Sequence, residues 1–284
     1  MTFFENAENR GHESVHQFYD SNTGLKAIIA IHSTALGPAA GGCRMWSYDG
    51  EANAIRDALR LSRGMTYKNA MAGLPLGGGK AVILADPDVP PSDDLFRAFG
   101  RFVDSLGGRY ITAEDVGVSV DSMRSIKEVT DYVAGLPPAE GSAGGDPSPW
   151  TADGVFLGLL AAVRHRLGHD SFANLRVAVQ GVGKVGYDLC RQLHAAGANL
   201  VISDVNEKHL ARARADFGAQ VVTPGEILFE NVDVLSPCAM GAILDESSIP
   251  KIKASVIGGA ANNQLATEAD GKRLYDRNIL YAPD

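Results

Sequence analysis

Short apolar runs alternate along this chain with longer stretches in which apolar residues recur at helical spacing, and glycine, proline and small polar residues separate the two. GLKAIIAIHS (24–33) reads as a strand, buried on both faces in its middle. GPAAGGCR (37–44) follows and reads as a glycine-rich loop. Asp49 is placed to cap a helix running to about residue 65, with Ala52, Ile55, Leu59 and Ser62 on one face. Residues 80–85 form a second strand. Ser92, followed by Asp93 and Asp94, starts a helix carrying Leu95, Phe99, Phe102 and Val103, which Gly107 and Gly108 stop. Residues 109–112 are a short strand, and AEDVG (113–117) lies just past its end, where α/β sheets meet their ligands.

A Gly/Pro/Ser-rich break, EGSAGGDPSP (140–149), marks a domain boundary, placed at 145/146. The helix expected over 150–167 either bridges the two domains or belongs to the core of the second. Beyond it the pattern is regular: LRVAVQ (175–180), NLVIS (199–203), AQVV (219–222), VDVL (232–235), ASVIG (254–258) and NILYA (278–282) read as strands, with room for helices between them. Six such strands are the count of a complete dinucleotide-binding sheet. The fold class is α/β in both halves.

With 284 residues, 45% of them hydrophobic, the chain is long enough for two packed cores. Acidic residues outnumber basic ones by 34 to 26, which argues against a general nucleic-acid binder. Cys43, Cys190 and Cys238 are too few and too scattered for a zinc site or a disulfide framework, and no metal is expected. The first residues, MTFFENAENRGHE, lack the basic and apolar segments of a secretory signal, and no stretch is apolar enough to span a membrane, so a cytoplasmic location with no membrane partner is expected.

Two stretches carry candidate chemistry. In GMTYKNAMAGLPLGGGK (64–80), Lys68 and Lys80 stand twelve positions apart in a segment with no other charge between them, and Lys80 follows three glycines at the mouth of a buried strand. Burial and like charge both lower a lysine pKa, which suits proton transfer; two solvated lysines on a surface loop fit the spacing as well. The second stretch is GVGKVG (181–186), which follows a strand, opens a helix, and precedes a strand ending at Asp204, 18 residues beyond Gly186. Its glycines allow a turn and the approach of a pyrophosphate, and the helix N-terminus stabilises that charge. Asp204 would bind the adenosine ribose hydroxyls and repel a 2′-phosphate, favouring NAD over NADP; a flavin or another nucleotide stays open on this motif. PCAMGA (237–242) and GGAANNQL (258–265) follow the fourth and fifth strands of this half, where Asn262 and Asn263 either bind a ligand or cap a turn.

GPAAGGCR, DALRLSRGMTYKNAMAGLPLGGGK, GRYITAEDVG, GVGKVG, PCAMGA, GAANNQL and LYAPD together resemble the Glu/Leu/Phe/Val amino-acid dehydrogenase family, most closely its leucine dehydrogenase branch, over nearly the whole chain. The resemblance implies an N-terminal α/β substrate and dimerisation domain (1–145) followed by a doubly wound Rossmann NAD-binding domain (146–284). It implies NAD-dependent oxidative deamination of an L-amino acid, with leucine, valine, isoleucine and phenylalanine as the candidate substrates, by a homo-oligomer. By position, Lys68 matches the lysine that holds the substrate carboxylate, Lys80 the catalytic lysine and Asp115 the catalytic aspartate. An ion-pair or capping role for Asp115 is the alternative. Ala40, Gly41, Gly42, Met65 and Ala113 match positions lining the substrate site, and Ala40 falls where leucine dehydrogenases usually carry leucine. Thr151, Ala239, Met240 and Asn262 match residues near the nicotinamide, with Asn262 also facing the amino acid. Gln180, Gly181, Val182, Gly183, Lys184, Val185 and Gly186 match the NAD-binding loop, and Asp204 its ribose partner.

Two departures accompany the resemblance. Cys43 stands where threonine is usual. The family continues past LYAPD into helices that return to the first domain, carry part of the side-chain pocket and brace the hinge, whereas this sequence ends at Asp284. A weakly active or inactive NAD-binding paralogue lacking those returning helices is therefore the competing expectation.

Overall fold

Ala27 to Ile31 are buried without alternation, which a strand achieves only with both faces of its sheet covered. The computed structural model, which describes residues 11–136, 146–239 and 241–284, shows how. The chain divides into two units, Met1–Asp146 and Pro147–Asp284.

In the first unit, β1 (Ser14–Asp20), β2 (Leu25–Ser33), β3 (Ala39–Trp46), β4 (Gly77–Leu84) and β5 (Tyr110–Glu114) form one sheet in the order β1-β2-β4-β3-β5. β3 runs parallel to both β4 and β5, while β2 is antiparallel to β1 and β4. Helix α1 (Glu51–Met71) covers one face, packing Ala54, Ala58 and Leu59 on Ile28, Ala30 and Val82. On the other face α2 (Asp93–Ser105) and α3 (Val120–Lys127) bury Phe96, Phe99, Phe102, Met123 and Ile126 against Ile29, Ile31, Cys43 and Ile83. Ser92 caps α2 as expected, its hydroxyl accepting the Leu95 N–H at 3.2 Å.

Three expectations need correction here. GPAAGGCR is largely not a loop: from Ala39 it is strand β3, its positions alternating buried and half-buried between two parallel partners. Helix α1 does not stop near residue 65 but runs through Lys68 to Met71, and Gly50 rather than Asp49 sits at its N-cap with no side-chain bond. Its buried stripe is Ala54, Ala58, Leu59, Leu61 and Ser62, with Ala52 exposed. The strand expected over 80–85 starts earlier, at Gly77, so the three glycines lie within β4.

The second unit opens with α4 (Ser148–Leu167), whose Ala152, Leu159 and Val163 lie in that unit's core. There follow β6 (Arg176–Gln180), α5 (Lys184–Ala195), β7 (Asn199–Ser203), α6 (Glu207–Phe217), β8 (Gln220–Val221), β9 (Val234–Pro237), β10 (Val256–Ile257), α7 (Glu268–Asp276) and β11 (Leu280–Tyr281). All pairings are parallel, in the order β11-β10-β9-β6-β7-β8. The first strand of the set, β6, lies mid-sheet between β7 and β9, so the topology reverses there, and ligands bind at the carboxyl ends of such strands. The six strands anticipated between 175 and 282 are all present.

Candidate active site

Glycine at position 78 lets helix and sheet close without a side chain between them: a Cβ there would lie 2.0 Å from Thr66 Oγ1 and 2.2 Å from the Thr66 nitrogen. Two bonds hold the end of α1 in this register. Asn69 Nδ2 donates to the Gly77 carbonyl at 2.6 Å, and Thr66 Oγ1 pairs with His32 Nδ1 at 2.8 Å. The clamp sets Met65 over β3, where its Cγ would be 3.2 Å from a Cβ on Gly41. Lys68 follows Met65 by three residues, on the adjoining part of the helix surface, with an exposed side chain.

Gly78, Lys80 and Val82 share one face of β4 by the pleat. Ala40 pairs with Gly78 and Arg44 with Val82, while Gly42 pairs with Ala113 on β5. Ala40, Gly42, Arg44, Lys80 and Ala113 therefore occupy the same face, the one that α1 covers. Asp115 follows directly after β5 and lies against Gly42, where an added Cβ would be 2.9 Å from Asp115 Cβ.

At the centre, Lys80 is 5% exposed and its Nζ donates to Asp115 Oδ2 at 2.5 Å. Burial lowers the Lys80 pKa; Asp115 works against that, Arg44 adds to it, and the net is below an ordinary lysine. Burial alone would raise the Asp115 carboxyl, but Lys80 and Arg44 outweigh it and hold the group below the usual range. The pair is thus a carboxylate facing a buried lysine whose pKa is lowered, a suitable arrangement for general acid–base work. Of the two open readings of the lysines, the solvated loop pair does not describe Lys80.

Some groups here gave no signal in the sequence. Arg44 Nε donates to Asp115 Oδ2 at 3.2 Å and its Nη1 to Asp57 Oδ2 at 2.9 Å, and Tyr48 OH donates to that same Asp57 oxygen at 2.6 Å. Tyr110 OH, fully buried, donates to the Gly41 carbonyl at 2.6 Å and so fixes the strand next to the site. Arg44 is the exception, since a cation inside the GPAAGGCR motif needs a carboxylate to neutralise it once it is buried.

In the second unit the fingerprint fits a dinucleotide. Gly181 has φ +89°, and a Cβ on Gly186 would lie 1.9 Å from the Gly181 carbonyl oxygen, so helix α5 packs closely on the turn. A Cβ on Gly183 would meet nothing within 4 Å, which leaves that side of the α5 N-terminus open to a phosphate. Lys184 and Val185 begin α5. Asp204 is anchored, accepting the Val182 N–H on Oδ2 and the Asn206 N–H on Oδ1, both at 2.8 Å. The Cys238 N–H donates to the Gln180 carbonyl at 2.7 Å, and a Cβ on Gly181 would lie 2.7 Å from Ala239 Cβ. The loop after β10 joins them: the Ala242 N–H donates to the Asn263 carbonyl at 2.7 Å, and the Asn262 carbonyl packs on Gly241. Asp284 caps this loop by accepting the Asn263 N–H at 2.6 Å. Gln180, Gly181, Val182, Ala239 and Asn262 therefore converge at the carboxyl ends of β6, β9 and β10. Thr151 stands on another element, exposed in the first turn of α4, with its hydroxyl donating to the Pro147 carbonyl. Met240 lies outside the described residues.

The chain is similar to known proteins over most of its length. Residues 12–132 match the family described as Glu/Leu/Phe/Val dehydrogenase, dimerisation domain. The leucine dehydrogenase of Bacillus subtilis (strain 168) is 52% identical over 284 residues, all of this chain and 78% of that protein. The valine dehydrogenase of Streptomyces virginiae is 50% identical over 281 residues, 98% of this chain and 78% of that one. Among solved structures, the L-tryptophan dehydrogenase of Nostoc punctiforme superimposes with a TM-score of 0.74 at 48% identity, covering 96% of this chain and 78% of the other.

Proposed function

The chain belongs to the Glu/Leu/Phe/Val dehydrogenase family, and from that premise we propose that Lys80 and Asp115 are the reacting pair of an NAD-dependent L-amino-acid dehydrogenase. The reaction is oxidative deamination: an L-amino acid, water and NAD+ give the 2-oxo acid, ammonium, NADH and one proton. The observation that carries the reading is the buried Lys80 ammonium, 2.5 Å from the Asp115 carboxylate, on a sheet face kept narrow by glycine.

Bound NAD supplies the hydride acceptor; the chain's own residues do the rest. Lys68 is the fixed cation for the substrate carboxylate. Lys80, with its lowered pKa, takes and returns protons as water adds to the iminium carbon and the carbinolamine collapses. Asp115 exchanges protons with the amino nitrogen and holds Lys80 in place. Gly41, Gly42, Met65, Ala40 and Ala113 line the amino-acid site. Gln180, the glycine loop to Gly186, Ala239, Asp204 and Thr151 hold NAD. The test is NADH formation at alkaline pH over a panel of L-amino acids. Turnover of leucine, valine or isoleucine supports the reading, and no NAD reduction by any member overturns it.

Two expected outcomes refine it. Asp204 is held rigidly by two backbone N–H groups, so a 2′-phosphate would face a fixed carboxylate. We expect kcat/KM with NADP to be lower than with NAD by about a hundredfold or more, since like charges meet in a partly dry site. Equal kinetics with the two cofactors would remove Asp204 from the assignment. Ala40 shares the Lys80 face and is half-buried, leaving room for a large substrate side chain. Ala40→Leu should lower kcat/KM for phenylalanine roughly tenfold more than for leucine, the size of a few methylenes in a pocket. An equal effect on both substrates would mean that Ala40 does not face the side chain.

The homo-oligomer we propose draws on the first unit, which matches a dimerisation domain and has β1 at the edge of its sheet. No helix among the described residues is long and apolar enough to cross a membrane.

A further inference from the structure

We propose that Arg44 is a positioning residue for the deamination: gripped from behind by Asp57 and Tyr48, it fixes the carboxylate of Asp115 against Lys80 and sets the charge balance in which Lys80 exchanges its proton. The inference rests on the reading of Lys80 and Asp115 as the reacting pair.

One oxygen carries the argument. Asp115 Oδ2 accepts from Lys80 Nζ at 2.5 Å and from Arg44 Nε at 3.2 Å, so its place is defined by two cations on different strands. A guanidinium is planar, and its Nε and Nη1 point in fixed relative directions. Holding Nη1 on Asp57 Oδ2 therefore aims Nε at Asp115. Asp57 is in turn steadied by the Tyr48 hydroxyl, 2.6 Å away on the same oxygen. The chain of contacts runs from Tyr48, beyond β3, through Asp57 on α1 and Arg44 on β3 to Asp115 after β5 and Lys80 on β4. The side chains of Arg44, Asp57 and Asp115 are 17%, 24% and 19% exposed, so the cluster is only partly screened by water.

Two cations and two carboxylates balance. Removing the Asp57 charge while Arg44 stays leaves one cation uncompensated near Lys80, which disfavours the ammonium and eases proton loss. Removing the Arg44 charge has the opposite sign, because Arg44 lowers the Lys80 pKa. The other titratable groups near Lys80 do not compensate. The Cys43 thiol and the Tyr110 phenol lie on the opposite face of the sheet and are both held neutral by burial, the β2 partner of Lys80 is Ala30, and Lys68 on α1 is exposed.

The experiment is the pH dependence of kcat/KM for wild type, Asp57→Asn, Arg44→Gln, Arg44→Lys and Tyr48→Phe, with folding checked by thermal melting. The substrate amino group titrates in the same range but identically for every variant, so differences between variants belong to the protein. We expect the acid limb to move to lower pH in Asp57→Asn and to higher pH in Arg44→Gln, by about half a unit or more each. Arg44→Lys, which keeps the charge, should bring the limb back toward wild type. Tyr48→Phe deletes a single oxygen, and should fold and lose kcat several-fold at nearly unchanged KM, so it decides the matter if the charge variants do not fold. Limbs that coincide with wild type, or that move in the same direction in Asp57→Asn and Arg44→Gln, would overturn the inference, as would a fully active Tyr48→Phe where the charge variants do not fold. A wild type that oxidises no amino acid would instead overturn the reading of the pair itself.

Discussion

Lys80→Ala is expected to lose turnover by about a thousandfold or more while NAD binds as before. The size follows from removing a buried proton-transfer group together with the charge that faces the developing oxyanion, each worth a hundredfold or more. Binding of NAD should hold within about twofold, since the fingerprint belongs to the other unit. Alanine also leaves Asp115 with Arg44 as its remaining ion-pair partner, so the carboxyl should protonate at higher pH than in wild type. Lys80→Arg separates these effects. It keeps a cation beside Asp115 but cannot give up its proton, so it should be nearly as inactive as the alanine variant. The measurements are steady-state NADH formation and calorimetric titration with NAD. Comparable kcat in wild type and Lys80→Ala would remove Lys80 from the chemistry.

The second unit was legible because its strands are apolar runs of Val, Ile and Leu, and because GVGKVG stands between a strand and a helix as the chemistry requires. Helix α2 was legible for a similar local reason, with Ser92 as cap and a phenylalanine stripe behind it. Strand β3 was not. AAGGCRMW has no β-branched residue and two glycines, a composition that argues against a strand. What places it in the sheet is tertiary: only glycine fits where Gly41 meets the Gly79 carbonyl, with a Cβ to oxygen distance of 1.8 Å. The end of α1 was missed for a related reason. GMTYKN contains the poor helix formers Gly64, Thr66, Tyr67 and Asn69, and the bonds that extend the helix, Asn69 to Gly77 and Thr66 to His32, cross to other elements. Lys80 and Asp115 were reached through family resemblance and motif position, and their contact was not predictable from spacing. Arg44 and Asp57 lie 13 residues apart on a strand and a helix, and no periodicity connects such a pair.

Gly42→Ala is the second substitution from which a large effect is expected, for a steric rather than a chemical reason. An ideal Cβ at this position would stand 2.7 Å from the Glu114 carbonyl oxygen and 2.9 Å from Asp115 Cβ. Neither neighbour is the far end of a flexible side chain. One is the backbone of β5, and the other is the root of the carboxylate that meets Lys80. Real Cβ contacts do not come so close, so the segment carrying Asp115 must retreat by several tenths of an ångström. The fold should tolerate this at a cost of about 1–3 kcal/mol, the usual range for one added methyl in a packed site. Catalysis should tolerate it far less. Displacing a reacting group by about an ångström costs on the order of a hundredfold in rate, and here the moved group also holds Lys80 and Arg44. The expected result is a folded protein with a modestly lower melting temperature, unchanged NAD affinity and a kcat reduced about a hundredfold. Gly64→Ala serves as the control, because a Cβ there meets nothing within 4 Å and no effect of that size should follow. A Gly42→Ala enzyme with wild-type kcat would show that Asp115 can move away from Lys80 without consequence, and would set the 2.5 Å contact aside as a structural ion pair.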